Sequence, residues 1–287
     1  LIASGEIELQ KHFHAEYFLK LAEEAEPQMR SEKLADWLNT LEFELDNIRA
    51  SLQYFLENEP EKAANLAGAI RAFWVVRGYL TEGRNWLELA QERIGKNASP
   101  ETRHKLVITL AWLARSQGDY ETAQNAYQEN LAESRAQNDK PKIALLNRGL
   151  GQVAYEQGDL AEARNFFEEG LVISREINDK FIISTLLNSL GDLARTENKI
   201  AESHKFYEES LAIFREIGNT QAVSGSYINL GGVAYAEEDY ENSYLYFSKA
   251  LHAAQELGNK INFSYSLDGI AAIFVQREDW FNAARLA

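Results

Sequence analysis

The sequence predicts an all-α fold, a right-handed α-solenoid of stacked antiparallel helix pairs. Three observations carry that reading. One tripeptide position recurs every forty residues, at Gly118-Asp119-Tyr120, Gly158-Asp159-Leu160, Asn198-Lys199-Ile200, Glu238-Asp239-Tyr240 and Glu278-Asp279-Trp280. In the same register an aliphatic column precedes the turn (Leu110, Leu150, Leu190, Leu230, Ile270) and a leucine column follows it (Leu131, Leu171, Leu211, Leu251). Small residues recur in both helices, and an aromatic follows in the second. A repeat of this length means supersecondary units that bury their apolar faces on one another and share no single globular core.

The first 59 residues form a helical lead-in. From 7 to 25, Leu9, Phe13, Tyr17 and Leu21 step by four, which places them on one face of a helix that Pro27 ends. Leu34, Leu38, Leu41, Leu45, Ile48, Leu52 and Phe55 follow at alternating steps of four and three, as one long helix or two broken near Asn39-Thr40. Asn58-Glu59-Pro60 stops the pattern.

Residues 60–287 are the array, about five full repeats and one truncated repeat. Its first pair, 61–77 and 80–94, turns at Gly78, forty residues before Gly118. Ser99-Pro100-Glu101 opens the next helix, with serine as N-cap and proline at the first helical position. The first helices carry Ala111, Gly151, Gly191, Gly231 and Ala271 just after the aliphatic column. A helix-interior glycine costs about 1 kcal/mol against alanine, so its recurrence predicts a neighbour too close for a side chain. The second helices repeat Ala123, Ala163, Ser203, Ser243 and Ala283, then Tyr127, Phe167, Tyr207 and Phe247. Small positions facing large ones are how helices interlock at native density. The linkers at Asn138, Asn178, Gly218 and Gly258 have the chemistry of left-handed helix ends. The chain opens on Leu1 without Met and stops at Ala287, seven residues into a second helix, which predicts a fragment of a longer protein.

Composition narrows the function. The formal net charge of −15 argues against direct nucleic-acid binding, which needs a clustered Lys/Arg footprint. There is no cysteine, so disulfides, thiolate nucleophiles and Cys-zinc sites are excluded and a cytoplasmic location is expected. No apolar run is long enough for a membrane partner, and no export signal is visible. Walker A, HExxH and G-x-S-x-G patterns are missing, so neither a catalytic residue nor a cofactor is expected. His12 and His14 are two apart on a helix and do not share a face, so no metal site is expected. Asn97-Ala98-Ser99 and Asn262-Phe263-Ser264 match a glycosylation sequon that a cytoplasmic chain never uses. Phe73, Trp74, Tyr79 and Trp86 beside Gly78 read as core, not as a stacking platform.

The set Leu150-Gly151, Ala154, Gly158-Asp159-Leu160, Ala163, Phe167 and Leu171 resembles the tetratricopeptide repeat (TPR), with a forty-residue period where thirty-four is common. Residues 41–52 and 73–88 are similar to stretches in the C-terminal region of bacterial STAND-class ATPase regulators, relatives of MalT and AfsR-type proteins. That resemblance implies a sensor and protein-contact arm, which in those regulators follows a nucleotide-binding domain and a winged helix.

In TPR arrays the first helices line a concave groove. On the face opposite the aliphatic column stand Ile108, Trp112 and Arg115, then Arg148, Gln152 and Tyr155, then Asn188, Asp192 and Arg195, then Ile228, Gly232 and Tyr235, with Asn229 beside them. Arg148, Asn188, Asn229, Arg115 and Arg195 would make a locally basic, amide-rich channel. Their fixed donors suit a carboxylate, a phosphate or the backbone of an extended peptide. The expected partner is therefore a protein or peptide, or an anionic small effector. The bland alternative is an exposed polar face bonded to its own neighbours, such as Asp192. A free-standing scaffold holding a peptide or partner helix is the second functional reading.

Overall fold

The computed structural model describes residues 2–29, 33–95 and 100–278. Fifteen helices and no strand occur among them: α1 Ile2–Gln28, α2 Leu34–Phe43, α3 Leu45–Asn58, α4 Pro60–Ala69, α5 Arg71–Val76, α6 Leu80–Ile94, α7 Pro100–Ser116, α8 Tyr120–Ala136, α9 Lys140–Gln157, α10 Leu160–Glu176, α11 Lys180–Thr196, α12 Ile200–Glu216, α13 Thr220–Ala236, α14 Tyr240–Glu256 and α15 Lys260–Gln276. They fall into two compact units, 2–29 with 36–130, and 33–35 with 131–278. Ser99, Asp279, Trp280 and Ala283 lie outside the described residues.

The first unit departs from the sequence pattern in three places. α1 includes Pro27 in its last turn, on an exposed side where the carbonyl left unpaired one turn earlier meets water. Leu9, Phe13 and Tyr17 do share a face, but it is the solvent face, at 54%, 63% and 62% exposure, and α1 buries Ala15, Phe18, Leu19, Ala22 and Ala25 instead. The break after Leu34 comes at Glu44, four residues later than expected, and Glu44 N and Ile48 N still bond across it to Thr40 O and Glu44 O. The helix expected over 61–77 is broken at Ile70, because the Trp74 indole takes the Ala67 carbonyl at 2.9 Å. Phe73 and Trp74 are fully buried, as core aromatics should be, and Phe73 stacks on Tyr79 at 5.7 Å.

In the second unit the forty-residue register becomes geometry. α9 pairs with α10, α11 with α12 and α13 with α14, and α15 packs on α14. Each turn has one left-handed residue, and the tripeptide begins on it: Gly158 at φ 86°, Asn198 at 60°, Glu238 at 60°. The second tripeptide residue is the N-cap of the next helix: Asp159 accepts from Glu162 N at 2.9 Å and Asp239 from Asn242 N at 3.1 Å. Lys199, in the same place, caps nothing.

The glycine column meets the aromatic column, as its recurrence predicts. A Cβ on Gly151 would stand 2.5 Å from Phe167, on Gly191 2.6 Å from Tyr207, and on Gly231 3.0 Å from Phe247. The small residue of the second helix closes the joint: Ser203 and Ser243 hydroxyls donate to Gly191 O and Gly231 O, each at 2.8 Å. Each aromatic so buried contributes about 1.5–3 kcal/mol.

Candidate functional site

The first helices of the second unit line a cavity of about 710 Å³. α9 supplies Arg148 and Gln152, α11 Thr185, Asn188, Ser189, Asp192 and Arg195, α13 Gly225, Ser226, Ile228, Asn229 and Gly232, and α15 Asn262 and Tyr265. Residues four and three apart on an α-helix share a face, and equivalent faces align because the repeat never slips.

Polar side chains are coupled across the cavity. Asn229 Nδ2 donates to Asn188 Oδ1 at 3.1 Å, joining α13 to α11. Asn188 Nδ2 lies 3.5 Å from Asp192 Oδ2, and the Tyr207 hydroxyl donates to Asp192 Oδ1 at 2.6 Å. Burial pushes the Asp192 carboxyl up from the usual carboxylate range, while the Tyr207 bond and the Arg195 charge oppose it. Burial also pushes the Tyr207 phenol well up, helped by Asp192. On α15, Asn262 Nδ2 donates to Ser224 Oγ of α13 at 3.2 Å, a bond separate from the Asn188–Asn229 pair.

α13 is where the cavity is deepest in absent side chains. Nothing lies within 4 Å of a Cβ built on Gly225 or Gly232, whereas α11 carries Thr185 and Asp192 at the equivalent positions. Packing gives these two glycines no reason to be glycine.

Of the ten residues expected to line a groove, Arg148, Gln152, Asn188, Asp192, Arg195 and Asn229 surround this cavity. Tyr155 and Tyr235 do not. The Tyr155 hydroxyl bonds Thr196 Oγ1 at 2.8 Å, and the Tyr235 ring packs against Tyr240 at 5.6 Å. Both stand in the last turn of their helices, in the same column as Arg195, which does line the cavity. Trp112 and Arg115 are half-buried on α7 in the first unit. Thr185, Gly225 and Tyr265 went unread in the sequence, although they are one column a turn before Asn188, and Asn262 was read only as part of a sequon.

A cluster of metal-type ligands exists in the first unit, where His12, Glu16 and Glu59 bring one atom each within 4.8 Å of one another. The Lys62 ammonium already lies 2.5 Å from both carboxylates, in the place a cation would take. Hydrogen bonds to Glu16 and then Glu59 push that lysine up, so it stays charged. No described helix is long and apolar enough to cross a membrane.

The fold is shared with solved structures. A Rap protein in complex with competence and sporulation factor aligns at TM-score 0.72 and 12% identity, over 97% of this chain and 84% of that one. A STAND protein with a tetratricopeptide repeat sensor, from Pyrococcus horikoshii, aligns at TM-score 0.63 and 17% identity over 94% of this chain and 43% of the other. BtubC from P. vanneervenii aligns at 0.58 and 21%, over 73% and 86%. No curated protein sequence matches the chain. The family profile described as the MalT-like TPR region matches residues 69–278, and the chain, a TPR-type helical repeat module consistent with protein–protein interaction, belongs to that family.

Proposed function

We propose that the chain is a non-catalytic sensing and binding module whose cavity takes up an extended peptide with an acidic side chain or terminus. The observation that carries this is the pairing of an amide row with empty floor: Asn188, Asn229 and Asn262 run along a cavity that Gly225 and Gly232 leave open. Amide side chains donate and accept at once, which matches the alternating N–H and C=O groups of a peptide backbone. Arg148 and Arg195 supply the positive ends, and Asp192 orients Asn188 between them.

In this reading the module is the regulatory arm of a STAND-type ATPase, as the family match and the likeness to a STAND protein's TPR sensor support. Uptake of the peptide would bias the attached ATPase by binding one of its states better than the other. The likeness to a Rap protein bound to competence and sporulation factor, covering 84% of that chain, supports a second reading as a free-standing peptide binder. A nucleotide-binding domain and winged helix encoded upstream of Leu1 would favour the first, and their absence the second.

Binding is tested by isothermal titration against a library of acidic and neutral peptides. Arg148→Glu with Arg195→Glu is expected to leave the helical circular-dichroism signal unchanged and weaken acidic peptides at least tenfold, on the scale of losing one charge-assisted contact. Asn229→Ala should weaken acidic and neutral peptides alike. Undiminished affinity in both variants would remove the cavity assignment.

A further inference from the structure

A second feature lies on the outer helices of the same unit. Arginine and glutamate alternate there from repeat to repeat. Arg135 Nη2 on α8 meets Glu169 on α10 at 2.6 Å, and Arg175 on α10 meets Glu209 on α12 at 2.8 Å. The next rung breaks, because position 249 on α14 is lysine where the pattern puts glutamate. Arg215 therefore turns to the Tyr227 hydroxyl, and its Cζ lies 5.3 Å from the Tyr227 ring centre. Lys249 Nζ stands 5.7 Å from that centre and 5.8 Å from the centre of Tyr246.

These groups surround a pocket of about 230 Å³, with Leu211 and Leu230 also in its lining. Its rim has one acid, Glu208, whose carboxylate lies 3.6 Å from His204 Nε2. Burial, then the Glu208 charge, push the Tyr246 phenol up, so it remains a hydrogen-bond donor. Both cations lie within about 6 Å of the Tyr227 ring centre, where cation–π contact stabilises each of them. On a chain of net charge −15, this is a local positive spot beside two tyrosine rings, and an anion is its electrostatic complement.

We infer that this outer pocket docks an acidic segment of a partner protein. A carboxylate sits against Arg215 and Lys249, and the adjacent apolar side chain lies on the half-buried Tyr246 ring and the exposed Ala212. The Tyr246 ring and Ala212 favour a peptide segment over a free anion, since phosphate alone gains nothing from an apolar contact.

The test is NMR titration of the protein, labelled at tyrosine and lysine, with the peptide Glu-Glu-Leu-Glu-Glu and with its Gln-Gln-Leu-Gln-Gln counterpart, up to millimolar concentration. Lys249→Glu rebuilds the rung found in the two preceding repeats, so its unfolding temperature should be unchanged or higher. It should weaken the acidic peptide about tenfold or more, the scale of reversing one interfacial charge. The groove double variant, Arg148→Glu with Arg195→Glu, should leave the Tyr246 and Lys249 shifts intact, which separates this pocket from the cavity. Saturable shifts lost in Lys249→Glu support the assignment. Equal shifts in Lys249→Glu, no saturable shift in the wild type, or full competition by equimolar inorganic phosphate would each overturn it.

Discussion

α11 and α13 occupy successive, equivalent places in the array, and they differ mainly on one face. Both carry a glycine that an aromatic of the next helix requires, Gly191 under Tyr207 and Gly231 under Phe247. On the cavity face α11 presents Thr185 and Asp192, while α13 presents Gly225 and Gly232 with open space above them. Two glycines that touch nothing cost α13 about 2 kcal/mol in helix propensity. Stacking and cavity shape are thus set by separate columns of one helix, and the second can vary without disturbing the first.

That separation can be broken or sharpened by substitution. Gly191→Ala should produce the largest effect, a loss of about 1–3 kcal/mol from overpacking against Tyr207. For a unit of this size that is a fall of about 2–4 °C per kcal/mol in a thermal melt. Wild-type stability in Gly191→Ala would mean that the glycine column does not set the interhelical approach. Gly225→Ala with Gly232→Ala should act in the opposite direction, gaining about 1 kcal/mol per site while weakening any peptide that fills the cavity. A destabilised double variant would show that packing needs these glycines after all.

Asp192→Asn probes the polar side of the contrast. The folded-state carboxyl is pushed up by burial, so the native state holds its proton more tightly than the unfolded chain does. Stability from this group therefore falls as pH rises from the ordinary aspartate range through the raised value. The variant should gain about 1 kcal/mol at neutral pH, a gain that shrinks on acidification, as urea titrations at several pH values would read out. A pH-independent difference would point to packing. The smallest change concerns the turn between α11 and α12. Lys199→Asn restores the N-cap that Asn219 and Asn259 already provide elsewhere. About 0.5–1 kcal/mol should be gained, reduced by loss of the half-buried Lys199–Glu197 pair at 2.9 Å.

Legibility in the sequence followed strict periodicity. Where the forty-residue register holds, the turn and the glycine–aromatic joint can be read from spacing, since one helical step fixes which side chains share a face, and six residues that border the cavity were reached by adding the resemblance to TPR arrays, whose first helices line a groove. The register does not reach Leu9, Phe13 and Tyr17, where a four-residue step identified a shared face and left open which way it pointed. Alanines pack closer than large side chains, and α1 turned Ala15, Ala22 and Ala25 inward. Nor could periodicity show that a tryptophan would take the Ala67 carbonyl and break a helix, or that Tyr155 and Tyr235 would turn to their neighbours at the helix end.

By itself the sequence determined the repeat, its interval, the left-handed turn and the all-α class, because these depend on local backbone chemistry and on contacts between positions forty apart. Only the tertiary structure decided which polar columns enclose a space, that Asp192 is bound by Tyr207 from the following helix, and that Gly225 and Gly232 face emptiness. The physical reason is that a cavity is defined by what several helices leave unfilled together, and no single helix encodes that.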